Sequence, residues 1–350
     1  MPNSQKILVT GCTGFIGSHL CEKLLARNEC VWGIDNLSRK GASLNLAHLR
    51  KKRSDLFQFT ELDITNRENL DSYFKENGPF DLIAHEAGQV AVTTSLLDPV
   101  SDFATNAAGT LHLLECIRLQ SSQAKLIFAS TNKVYGNLES LSIEEADTRY
   151  ILSDLPDGVS ETHPLEFHSP YGCSKGAADQ YVCDYARSFG LRTTVLRQSC
   201  IYGTRQFGLE DQGWVAWFLI ATAMRRPITL FGDGKQVRDL LWIDDLCDLY
   251  LKIWEMQDFP WGTPLNVGGG KNNTLSLVEL FSLMKDMGLP APTCSSSTWR
   301  KGDQRIFIAN NTKTESITGW KPKTSLKIGL QRLWNWINEN KALISAVLYA

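Results

Sequence analysis

No two cysteines in this chain stand in a C-x-x-C spacing, although nine are present. An odd count without metal-ligand spacing or a secretory signal argues against a disulfide framework and a structural zinc site. It points to free thiols in a reducing compartment, so a cytoplasmic setting is expected and no metal. Excess charge of one sign is missing too: 36 basic residues against 38 acidic ones leave a formal −2. That balance makes no electrostatic case for nucleic acid or an anionic membrane as partner. The longest strongly apolar stretch, Trp214 to Met224, is too short to span a bilayer, and the opening residues MPNSQKILVTG carry no signal-peptide core. Internal repeats and low-complexity linkers are absent as well. What remains is 43% apolar content over 350 residues, enough for the core of one large or two ordinary domains.

The first two hundred residues alternate short β-branched or aromatic runs with amphipathic ones. Strands are predicted at Lys6–Gly11, Cys30–Asp35, Leu56–Asp63, Phe80–Ala87, Lys125–Thr131 and Arg192–Ser199. Helices are predicted after the first strand, where Phe15, Ile16, Leu20, Leu24 and Leu25 share a side, and at Asn66–Asn77, Val100–Gln120 and Pro170–Phe189. This alternation predicts an α/β fold with a doubly wound parallel sheet, the Rossmann arrangement. Beyond residue 200 the pattern loosens, with helices at Gly213–Met224, Asp244–Met256 and Ser276–Met287 between turn-rich pieces. A smaller mixed α/β domain is therefore expected from 201–235 and 263–350. The dinucleotide-binding domain would take 1–200, with 236–262 returning to it because Leu240–Ile243 reads as a strand for the sheet. The polar, proline-bearing segment Asn137–Ser169 reads equally as a lid or a surface insertion.

The string TGCTGFIG places Gly11, Gly14 and Gly17 between the first strand and first helix. Glycines there permit a tight turn and close approach of a pyrophosphate to a helix N-terminus, where unpaired N–H groups and a positive dipole end favour an anion. Asp35 closes the second strand, where it suits the ribose hydroxyls and repels a 2′-phosphate; NAD is expected over NADP, although Arg39 stands nearby. Phe15, Ile16, Asn36, Ser38, Asp63, Ile64, Ala87, Gly88, Gln89, Asn106 and Ser130 complete the expected cofactor lining, most of them near the carboxyl ends of successive strands.

Tyr171 and Lys175, in SPYGCSKGAADQY, are i,i+4 neighbours at a helix start and share a face. A phenol near its ordinary pKa of about 10 is a poor base at neutral pH. A neighbouring ammonium and the positive nicotinamide would favour its phenolate. Thr131, at the end of the fifth strand, places a hydroxyl for the reacting oxygen. Several other residues invite plainer readings: Cys12 as a small side chain, Cys173 as pointing away, His85 as a core histidine, His168 as no site residue, and Trp214, Trp217 and Phe218 as helix packing. Lys133 reads equally as a locally paired lysine or one that approaches cofactor or substrate.

With these motifs in this order, the chain resembles the extended short-chain dehydrogenases/reductases, and within them the nucleotide-sugar epimerases. The resemblance spans nearly the whole length, including GDGKQVRD and GDQRIFIAN. The longer strings DNLSRKGA, AGQVAVTTS, STNKVYG, FHSPYGCSKGAADQY and RQFGLEDQGWVAWF resemble those epimerases that invert C2 of a CDP-linked hexose. The resemblance implies that Gly11, Gly14, Gly17, Asp35 and Lys175 hold NAD, and that Thr131 and Tyr171 flank the reacting carbon with Tyr171 as base. It also implies that Arg238 and Arg305 hold the sugar nucleotide and that the chain forms a homodimer or homotetramer. Ser199 is a further candidate for substrate contact. Related 4,6-dehydratases carry Asp-Glu after this Thr; Asn132-Lys133 here removes their acid/base equipment. The rivals are a 4-epimerase acting on a UDP-hexose and a non-catalytic dinucleotide-binding sensor.

Overall fold

The computed structural model describes residues 5–53, 55–300 and 302–348. Seven strands form one sheet: β1 (Lys6–Thr10), β2 (Cys30–Asp35), β3 (Phe57–Glu61), β4 (Leu82–His85), β5 (Lys125–Thr131), β6 (Arg192–Gln198) and β7 (Pro264–Val267). Their order is 7-6-5-4-1-2-3, and the pairings among β1 to β5 are parallel. The order reverses beside β1, the point at which open sheets of this kind bind ligands. Between the strands run α1 (Phe15–Ala26), α2 (Ala42–Arg53), α3 (Arg67–Asn77), α4 (Gly109–Gln120) and α5 (Ser169–Phe189). The fold class is the doubly wound one expected from the sequence.

The chain divides into two compact units, the first holding 1–131, 169–197 and 247–265 and the second 132–168, 198–246 and 266–350. In the first unit, Leu8, Ile34, Leu70, Phe74, Ile83, Leu113, Leu126 and Val195 are buried in one core between sheet and helices. Local signals explain the element ends. Asn66 accepts the Asn69 N–H at 3.0 Å and caps α3. Asp98 likewise caps the short helix Pro99–Phe103, where proline at the first position needs no N–H partner.

Two expectations change. The helix expected over Val100–Gln120 is broken by a π-helical turn at Ala104–Ala108. The strand around Leu240 does not join the large sheet. Val237–Trp242 pairs instead with Cys200–Tyr202, Thr274–Ser276 and Ile306–Phe307 in a separate four-stranded sheet, and Pro264–Val267 takes the edge of the large one. Local strand propensity cannot choose between two sheets.

In the second unit, Val134, Tyr135, Tyr150, Leu152, Val159, Val237 and Phe307 make a core of their own. Segment Asn137–Ser169 is therefore anchored: it forms the hairpin Ile143–Glu145 with Tyr150–Leu152, and Leu138, Tyr150, Leu152 and Val159 are core residues, while Ile151 is exposed. The helix Leu277–Asp286 begins with a capping box of Ser276 and Glu279. Phe218 stacks on Phe281 at 5.6 Å with Trp214 edge-on to it, so the aromatic run of Trp214–Ala223 packs the helix as expected.

Candidate active site

The glycine loop is built by close backbone contact. A Cβ on Gly17 would lie 2.2 Å from the Gly11 carbonyl oxygen, and one on Gly11, where φ is +66°, would lie 2.6 Å from the Ala87 nitrogen. Neither position admits a larger residue. Gly14 stands at the N-terminal end of α1 with no side-chain cap, leaving that end suited to an anion. Cys12 is buried with its sulfur against Gly33. Burial pushes its thiol well above the ordinary range, which fits the small-side-chain reading.

Asp35 accepts N–H groups from Thr13 at 3.0 Å and Leu37 at 2.8 Å, which fixes its carboxylate beside the loop. Asn36 donates to Asp63 at 2.8 Å while its carbonyl receives the Ser38 N–H and hydroxyl. Burial works against the Asp63 carboxylate, but hydrogen bonds from Asn36 and Thr65 outweigh it and hold its pKa below the usual range. Arg39 is exposed on the same turn. Phe15 packs edge-on to His19 within α1, beside the partly buried Ile16. The Ile64 side chain belongs to the core, so its own part is to support this edge.

The next strand end is organised by an ordered chain of hydrogen bonds. Thr10 and His85 are register partners. The Thr10 hydroxyl accepts the Ala87 N–H at 3.2 Å and bonds His85 Nδ1 at 2.7 Å. His85 Nε2 meets the Thr110 hydroxyl at 3.0 Å, and that hydroxyl donates to the Asn106 carbonyl at 2.6 Å. The directions fit together if His85 is neutral with its proton on Nε2. Burial, with help from the Lys175 charge, pushes its pKa down to about 3, so it is the core histidine expected.

Around this chain lies a network that the sequence reading missed. Asp102, fully buried, accepts from Ser174 at 2.5 Å, Gln89 at 2.8 Å and Asn106 at 3.2 Å. The Asn106 amide also takes the Gln89 N–H at 2.9 Å and donates to the Gln89 carbonyl at 3.0 Å. Asn106 thus clamps the loop Ala87-Gly88-Gln89 to the π turn and the start of α5. Its amide is engaged within the protein, and the part the structure assigns it is to hold that loop. π turns often mark functional sites.

Ser169 opens α5 with its hydroxyl accepting the Gly172 N–H at 3.2 Å, and the Tyr171 N–H is taken by Ser95 at 3.1 Å. Tyr171, Lys175 and Thr131 are all buried, and Thr131 hydrogen-bonds the Tyr171 hydroxyl. Burial pushes the phenol up to about 12, Thr131 working against the rise and Asp102 adding to it. The Lys175 ammonium donates to the Ala129 carbonyl at 2.6 Å and lies over the Phe128 ring at 4.2 Å. Burial pushes it down to about 8, with Glu86, Asp179 and Asp102 opposing, so it stays charged at neutral pH. Among the protein's own groups burial dominates, and it favours the neutral phenol.

One turn further along α5, Asp179 forms a buried ion pair with Arg197 at 2.9 Å. Asp179 also takes the Ser130 hydroxyl at 2.7 Å. The hydroxyl of Ser130, a residue expected at the cofactor, is engaged by this pair. Cys173 is exposed, as expected.

In the second unit, Arg238 donates to Asp303 at 2.9 Å and to the Gln304 carbonyl at 2.7 Å. Arg305 is exposed, with its guanidinium over Tyr150 at 5.4 Å. Ser199 was expected at the substrate, but its hydroxyl donates to the fully buried Asp239. The structure makes it a link between strands. Burial lifts Asp239 to about 6 against that bond. Asn132 donates to Gln304 at 2.9 Å, and His168 pairs with Glu166 at 3.0 Å. Arg300 lies over Phe231 at 3.7 Å.

Residues 7–268 match the model of the NAD dependent epimerase/dehydratase family. The chain belongs to that family. This member is 44% identical over 337 residues to a CDP-paratose 2-epimerase of Salmonella typhi, covering 95% of this chain and 99% of that one. It is 32% identical to a putative UDP-glucose 4-epimerase of Methanocaldococcus jannaschii, covering 95% and 99%. Among solved structures, the UDP-glucose 4-epimerase of Thermotoga maritima with UDP-glucose superposes with a TM-score of 0.81 at 31% identity, covering 96% of this chain and all of that one. The UDP-glucose 4-epimerase of Thermus thermophilus, solved with NAD, gives 0.79 at 30% identity, covering 95% and 98%. The family member described here is an NAD-dependent nucleotide-sugar enzyme, and its glycine loop and Asp35 fit that cofactor. No helix among the described residues is long and apolar enough to cross a membrane.

Proposed function

We propose that this enzyme inverts C2 of a CDP-linked hexose through a transient 2-keto sugar. The carrying observation is the buried Thr131–Tyr171 hydroxyl pair on a strand end followed by an amide bound to Gln304, with no carboxylic acid in place for dehydration. The likeness to a CDP-paratose 2-epimerase over 95% of the chain supports C2 and the cytidine nucleotide. NAD supplies reversible hydride acceptance. Tyr171, as phenolate, takes the proton of the sugar hydroxyl and later returns it; Thr131 holds that oxygen, and Lys175 keeps positive charge nearby. Arg238 and Arg305 would grip the diphosphate, since guanidinium donors pair with its oxygens, leaving the sugar free to turn.

We also infer that the enzyme self-associates. Leu97 is 88%, Val100 78% and Phe103 58% exposed on short helices packed on α5, which itself exposes Tyr181 and Phe189. Such a stripe suits a second copy, and light scattering would show a dimer or tetramer. All nine cysteines are free, in keeping with a reducing, cytoplasmic setting.

The test is product analysis after incubation with CDP-paratose, CDP-glucose and UDP-hexoses. Inversion at C2 of a CDP-sugar supports the reading. Inversion at C4 of a UDP-hexose would replace it with the 4-epimerase alternative, and no turnover of any of them would favour the sensor.

A further inference from the structure

Lys133 lies in the second unit, on the short helical turn Asn132–Tyr135. Its ammonium donates to the Gly302 carbonyl at 3.0 Å. The next residue of that loop, Asp303, takes Arg238, and the carbonyl after it, Gln304, takes the same guanidinium. Two cations from separate elements therefore hold three consecutive residues of one loop. Arg238 faces Lys133 from the strand Val237–Trp242 and works against its charge, while Asp303 faces it from the loop and supports it. Glu166, whose N–H bonds the neighbouring Val134 carbonyl, has its carboxylate on His168. Burial outweighs both electrostatic effects and pushes the Lys133 ammonium down to about 7.

Two cations held on one loop repel each other, and taking a charge out of water adds to that cost. A cation kept beside a second one is the arrangement that a dianion stabilises.

We propose that Lys133 joins Arg238 in binding the diphosphate of the sugar nucleotide. This rests on the assignment of Arg238 to the diphosphate given above. The proposal carries a proton signature. At pH 8 Lys133 is largely neutral; a diphosphate beside it favours the ammonium, so binding takes a proton onto the protein. The arriving nucleotide is already fully ionised at that pH.

Calorimetric titration of the NAD-loaded protein with CDP at pH 8, in two buffers of different ionisation enthalpy, measures that uptake. The wild type should take up a substantial fraction of one proton. Lys133→Met should bind CDP at least about tenfold more weakly, with the uptake abolished. Lys133→Arg, which arrives charged at any pH, should keep affinity within a few-fold and lose the uptake; it keeps the test readable if the Met variant does not fold. Unchanged affinity in Lys133→Met, or uptake undiminished in Lys133→Arg, would overturn the proposal. Repeating the titrations with UDP separates the two claims. A preference for UDP would count against the cytidine reading, yet leaves the lysine's proton signature measurable, because both nucleotides carry the same diphosphate.

Discussion

Tyr171 is only 8% exposed, and its phenol is pushed up by that burial, so its chemistry depends on when positive charge stands beside it. Tyr171→Phe removes one oxygen from a buried site. Turnover should fall by about 10²- to 10⁴-fold, while NAD recovered after denaturation stays at the wild-type level. Unchanged turnover would defeat the assignment of the base. Glu86 makes a second residue-scale case. Tyr250 donates to its carboxylate at 2.5 Å, yet burial lifts the carboxyl to about 7, above its ordinary 4.5, with Tyr250 and Lys175 opposing. A raised carboxyl means that the folded state holds the proton longer than the unfolded one. The Glu86 contribution to stability is therefore lost as pH climbs from about 4.5 towards 7. Glu86→Gln should gain in melting temperature relative to the wild type between pH 5 and pH 8; a difference that stays constant or reverses would contradict this. At this scale the buried Thr131–Tyr171 hydroxyl pair, with Lys175 one turn further along the helix, was legible in the spacing and order of those residues. The partners that tune them were not: Asp102, Glu86 and Asp179 reach their sites only through tertiary burial, which no spacing encodes.

The elements were legible where period and punctuation agree. The strand β1 with the glycine loop and α1 is such a case, as are the helix starts at Asn66 and Ser276. The helix expected over Val100–Gln120 failed where side-chain hydrogen bonds from Asn106 and Thr110 favour a π turn over continuous helix. Leu240–Ile243 failed differently: it is strand-like as read, up to Trp242, but strand propensity is indifferent to which sheet receives it. The glycine loop gives the sharpest test of an element. In Gly17→Ala the new methyl would meet the Gly11 carbonyl oxygen at 2.2 Å, so α1 must shift away from the turn. A loss of about 1–3 kcal/mol is expected from such overpacking, together with loss of bound NAD. Wild-type melting and full NAD content would show that the loop does not pack this closely.

For the molecule as a whole, the doubly wound sheet was readable from alternation alone, and the seven-stranded sheet bears out that reading. The boundaries of the two units were less so, because residues 132–168 and 236–246 join the second unit through core contacts of Val134, Tyr150 and Val237 with Ile306 and Phe307. Ser130 and Ser199 show the same limit, since their hydroxyls serve buried carboxylates that sequence order does not reveal. In the proposed reaction a hydrogen leaves one face of the sugar and returns to the other without meeting solvent. The most direct measurement is incubation of a C2-deuterated CDP-hexose in ordinary water, followed by mass analysis of the inverted product. Retention of the deuterium at C2 is the predicted result. Its complete replacement by solvent hydrogen would show deprotonation chemistry and contradict the account.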